Sequence, residues 1–225
     1  MRLTITILTL IFFSAFGQTQ GIGALKNAFG GGDDSSGGDT LAMQAALILG
    51  MSKSTKFLLE SSVMINEAIG STDNAKELKN LASQKPSETD KNLQRKFELI
   101  TETRERLAEF SADGKTLDEA GKKRFEQALG PYARGTVLML AVVATSIEFV
   151  QAATKEITNI KNPMQIMKIK KQFEIGIKSG KQVPAFFKAM DESTKMVWGF
   201  AKANDIPTKN FTAELKKGGA SIPTG

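Results

Sequence analysis

Residues 137–150 read VLMLAVVATSIEFV, and almost every side chain in that stretch is apolar. Leu138, Met139, Leu140, Val142, Val143, Ile147 and Phe149 would point all round a helix, a pattern found in helices at the centre of a bundle or inside a membrane. The run is shorter than the ~20 residues that a helix needs to cross a bilayer core. Thr145, Glu148, Gln151 and Lys155, three or four residues apart, line up as a single polar stripe. We therefore read this segment as the central helix of a bundle, opened by Pro131 in its first turn and running to about Ile160.

The same signals recur on both sides of it. Upstream, Asp39 or Thr40 can cap a long helix whose apolar pattern runs to Ile69 and stops at Gly70, a natural left-handed terminator. A short helical stretch follows to about Ser83, and Pro86 breaks it. Ser87 followed by Asp90 resembles a capping box with a shortened acid. Beyond it, Leu93, Phe97, Ile100, Leu107 and Phe110 form a one-sided stripe on a highly charged segment. Asp113-Gly114 marks a turn, and Thr116 with Glu119 forms a second capping-box pattern that opens a short helix ending at Gly130.

Downstream, Pro163 opens a segment to Gly180, Pro184 opens another to about Asn204, and a last short helix covers Thr208 to Lys217. Phe173, Ile175 and Ile177 alternate as in a strand, yet Ile166, Ile169, Phe173 and Ile177 also share one helical face. No second strand candidate exists to pair with them, so helix is preferred. The fold class is all-α: an irregular helical bundle with long helices near 40–69, 88–110, 131–160 and 184–204, plus several short ones. The hexapeptide Met51-Ser52-Lys53-Ser54-Thr55-Lys56 is echoed by Met190-Asp191-Glu192-Ser193-Thr194-Lys195, but with nothing alike around the two they fall short of a repeat.

Arg2, the apolar run Leu3 to Phe13 and the small residues Ala15 and Gly17 have the three-part layout of a secretory signal peptide, residues 1–17, cleaved after Gly17. Residues 18–39 are rich in Gly, Ser and Asp and read as a flexible leader, within which Ile22, Leu25 and Phe29 share helical spacing. A single helical domain over 40–217 and a flexible tail over 218–225 complete the expected organisation. The chain has no cysteine at all. With the apolar N-terminus, this points to the periplasm or exterior of a bacterium, because small eukaryotic secreted domains lean on disulfides. One sequon, Asn210-Phe211-Thr212, carries little weight alone.

Histidine is absent as well. Without His and Cys there is no usual zinc site, no Ser-His or Cys-His pair, no haem ligand pair and no Glu-x-x-His di-iron motif. No Gly-rich phosphate loop ends in Lys-Ser/Thr, and no Ser-x-x-Lys occurs. No catalytic residue, cofactor or metal ligand is therefore assigned. Carboxylate-only glycoside hydrolysis is the enzymatic alternative that remains, with Glu98, Glu102, Asp118, Glu119 and Glu148 as its acids. Each of them falls on a charged helix face, in a cap or on the polar stripe.

The positive feature is charge. The chain carries +6, or +5 once Arg2 is lost. The window Pro163 to Met190 holds Lys168, Lys170, Lys171, Lys178, Lys181 and Lys188 against one acid, Glu174. Interleaved with Met164, Met167, Ile169, Phe173, Phe186 and Phe187, these lysines form a basic amphipathic surface suited to an acidic protein partner or an anionic membrane. Nucleic acid fits less well, since the window lacks arginine and the chain has one Trp and one Tyr for stacking. The expected function is that of an exported, non-enzymatic helical binding protein that contacts a protein partner through this surface. Peripheral attachment to anionic lipid is the alternative.

Overall fold

A computed structural model describes residues 39–220 and Pro223. The segments read as a signal peptide and as a leader with its Ile22–Phe29 pattern, together with residues 221, 222, 224 and 225, lie outside the described residues. Among those described, the protein is an all-α bundle of six helices with no strand: α1 (Asp39–Ala68), α2 (Ala75–Ser83), α3 (Leu93–Ala112), α4 (Glu119–Asn159), α5 (Pro163–Ala203) and α6 (Lys209–Lys217).

The apolar stretch that opened the reading lies in α4, where Met139, Val142, Phe149 and Ala153 are completely buried. Helix α4 packs most extensively on α1 and next on α5. It is also the one described helix long and apolar enough, by length and composition, to cross a membrane. Gly135 lets the α1 and α4 backbones come close, because a Cβ there would sit 2.6 Å from the Leu58 side chain. In the same place the Ser54 hydroxyl donates to the Gly135 carbonyl at 2.7 Å. The polar stripe is only partly as expected. Gln151 and Lys155 are exposed, but Thr145 is buried and returns its hydroxyl to the Ala141 carbonyl.

Helices α1, α3 and α5 run one way and α4 runs the other. Asn66 on α1 meets Thr103 on α3 at 2.9 Å, Phe97 on α3 stacks on Phe186 of α5, and Phe125 on α4 meets Phe200 near the far end of α5. The two parallel neighbours α1 and α3 need a crossover, and α2 with the segment 84–92 supplies it. Leu78, Leu81 and Ala82 are buried on this return path. Gly70 takes φ +71°, and Ser71 N–H closes on the Asn66 carbonyl at 2.8 Å, which ends α1 in the left-handed turn that the sequence implied.

Four local readings need correction. Gly130-Pro131 does not separate two helices: α4 runs unbroken for 41 residues. Pro184 likewise lies inside α5, also 41 residues long. Each proline removes only one donor, and the flanking turns are held by neighbouring helices, so the axis continues. At α4 the cap is Asp118, whose Oδ1 accepts from Gly121 N–H at 2.7 Å, rather than Thr116. Ser87 does not open α3, which starts at Leu93. Its hydroxyl instead accepts from Thr89 N–H in a turn, and Asp90 turns inward.

The hexapeptide echo has a packing explanation. Ser54-Thr55 on α1 and Ser193-Thr194 on α5 are all buried, and both pairs face the Tyr132–Thr136 segment of α4. Thr55 and Thr194 each return a hydroxyl to the carbonyl four residues back, on Met51 and Met190. Two helices that meet the same stretch of a third thus use the same small, self-satisfying side chains.

Candidate functional site

All six lysines of the basic window lie on α5, and all are exposed. At about 100° of turn per residue, Lys170, Lys171, Lys178, Lys181 and Lys188 fall on one side of the helix. Phe173, Gly176, Gly180 and Val183, which are buried, face the opposite way into the bundle. Lys168 lies at the edge of the stripe, beside a shallow groove of about 550 Å³ lined by Asn159, Ile160, Gln165 and Ile169. Because α5 is one continuous helix, the stripe runs along it for about 27 Å from Lys170 to Lys188.

What sets these lysines apart is their alignment on one helix, because other exposed cations such as Lys76, Lys123, Lys209 and Lys216 also lack a carboxylate within 4.0 Å among the described residues. Arg95 is gripped by Glu77 at 2.7 Å and also reaches Glu98 and Glu102. Lys79 and Arg124 share Glu67, Lys56 pairs with Glu60, and Lys195 pairs with Asp191. None of the six window lysines has a carboxylate within 4.0 Å among the described residues.

The candidate acids are occupied elsewhere. Glu98 and Glu102 belong to the arginine cluster, with Arg106 also on Glu102 at 3.4 Å. Arg95 holds the Glu77 carboxyl below its ordinary range by hydrogen bonding. Asp118 is a helix cap, and Glu119 is exposed beside Lys122 at 3.1 Å. Glu148 stands on α4 with one carboxylate oxygen buried and unpartnered, and desolvation raises its pKa. These five acids therefore do not form a facing pair.

A Ser-Asp-Lys set does converge, where Asp90 accepts from Ser52 Oγ and from Lys96 Nζ at 2.6 Å. Ser52 is 0% exposed and Lys96 is 1% exposed, so no substrate reaches them. The set is a clamp that holds the crossover against α1. Among the described residues, no group of three or more His, Cys, Asp or Glu side chains is placed to hold a metal ion.

Of the apolar residues read into this surface, only Met164 and Met167 stand in solvent. Met164, Met167 and Ile175 are 81%, 72% and 59% exposed, whereas Phe173 is buried and Ile169, Phe186 and Phe187 are half-buried against the core. Lys155 and Lys161, outside the window, are exposed near the same tip. The polar linker Asn159 to Asn162 was the available sign that α4 and α5 meet in a free hairpin.

Together these features define a class of molecule: a helical bundle that carries an unneutralised lysine face on one long helix. Comparison of the chain with protein-family models, with curated proteins and with solved structures finds no match.

Proposed function

We propose that this is a non-enzymatic binding protein of the bacterial envelope or exterior that presents the lysine face of α5 to an acidic protein partner. The observation that carries this reading is the alignment of like charge on one helix. Lys170, Lys171, Lys178, Lys181 and Lys188 stand along one side of α5 with only Glu174 among them, and none of the five has a carboxylate within 4.0 Å among the described residues. Unpaired like charges in a row are held apart from water's screening only when a complementary surface covers them, and such a surface also speeds and orients association. The address rests on the apolar run of residues 3–13 and the lack of cysteine.

The test is crosslinking and affinity capture of the tagged protein in its native cells, with wild type and K178E/K181E/K188E compared. We expect a recurring acidic partner whose capture by the variant falls about tenfold or more, with helical content and melting unchanged. A partner captured equally well by both, or no partner at all, overturns the reading.

A further inference from the structure

We propose that the tip of the α4–α5 hairpin is a docking site for an anionic lipid surface, adjoining the flank that meets the protein partner at Lys170 and Lys171 and independent of that reading. The last fully buried residue of α4 is Ala153 and the first of α5 is Phe173; no residue from 154 to 172 is buried. Ile157 and Ile169 are the last side chains on either arm to pack against the core, so the hairpin continues past it by up to about one and a half helical turns. At its end Met164 and Met167, one turn apart, hold their side chains in solvent. Around them stand Lys155, Lys161, Lys168, Lys170 and Lys171, with Glu156 as the one acid of the segment.

Exposed apolar side chains interspersed with lysines at the end of a hairpin match the boundary between lipid headgroups and acyl chains. The methionines enter the apolar layer while each lysine keeps its ammonium at headgroup level on a flexible stem. Methionine's unbranched chain suits a fluid medium better than a shaped pocket. The charge selects anionic over neutral lipid, by about fivefold in partition for each lysine at the surface. The groove beside Lys168 is shallow and open, with Glu156 on its wall, and so offers a rigid protein partner little to grip.

The experiment uses residues 18–225, so that the apolar run 3–13 cannot partition by itself. Sedimentation with phosphatidylcholine vesicles containing phosphatidylglycerol is compared with sedimentation on phosphatidylcholine alone. The wild type is expected to bind the anionic vesicles at least tenfold better and to be released by high salt. M164D/M167D should lose that binding while M164L/M167L retains it, and both should melt like wild type because the two positions are exposed. K178E/K181E/K188E, which tests the flank, should still bind vesicles.

Equal binding to neutral vesicles, or none to either, overturns the proposal. So does anionic binding that survives M164D/M167D, which would place the lipid contact on the leader or the lysine flank. Loss of the protein partner in the flank variant with vesicle binding intact would confirm that the two surfaces are distinct. Loss of vesicle binding in that variant would overturn the tip as the site.

Discussion

Lys96 is among the largest fully buried side chains in the bundle, and its charge is tolerated only because Asp90 meets it. Burial pushes the Asp90 carboxyl up, but hydrogen bonds from Lys96, Ser52 and the Asn92 backbone outweigh it and hold the pKa below the ordinary value. A carboxyl depressed in the folded state adds stability above its unfolded pKa and loses it as pH falls through the folded value. That contribution is therefore complete at neutral pH and drains away below about pH 4. Lys96→Met should cost about 3 kcal/mol at pH 7 in urea unfolding, because it strands a buried carboxylate, and much less at pH 3, where that carboxylate is being protonated. An equal cost at both values would show that Lys96 acts through packing alone. The lone tyrosine offers a second reading of the interior. Burial raises the Tyr132 pKa to about 12 against hydrogen bonds from Thr194 and Ser193. Absorbance titration at the phenolate band should show one midpoint near that value; a midpoint near 10 would mean that the ring is open to water.

At the scale of the helix, the two prolines are the informative residues. Pro184 sits exposed inside α5 and cannot donate to the Gly180 carbonyl. Pro184→Ala should raise stability by about 1–3 kcal/mol, since the restored bond and helix propensity exceed the entropy that proline removes from the unfolded chain. An unchanged midpoint in denaturant would show that the Gly180 carbonyl already has another partner. The same residues show why the sequence yielded the class of fold but not its elements. Periodicity and caps depend on neighbours a few positions away, so Gly70, Gly114 and the apolar face of α3 were legible. Whether a proline ends a helix is decided by what packs across it, on residues far along the chain, and so four segments were expected where two helices of 41 residues exist. The lysine face was legible for a similar reason: exposure of lysine is the default, and one helix carries the whole set. Its apolar tip was not, because Met164 and Met167 have the same spacing whether they meet a core or point away from one.

Across the whole molecule, cohesion depends on contacts between distant parts of the chain. Leu47, Met51 and Leu58 of α1 are completely buried, and α1 as a whole packs most extensively on α4. The Ser54–Gly135 hydrogen bond spans 81 residues. A fragment of residues 39–112, holding α1, α2 and α3, should therefore show no cooperative thermal transition by circular dichroism, whereas residues 39–220 should melt in a single step. A sharp transition in the short fragment would mean that the clamp at Asp90 and the α1–α3 contacts suffice alone. The same separation in sequence sets an order of events during synthesis. Helix α1 ends at residue 68 and α4 at residue 159, so a ribosome must make all the chain between them before α1 can be covered. Through that interval the face of α1 that α4 covers is open to any holding chaperone.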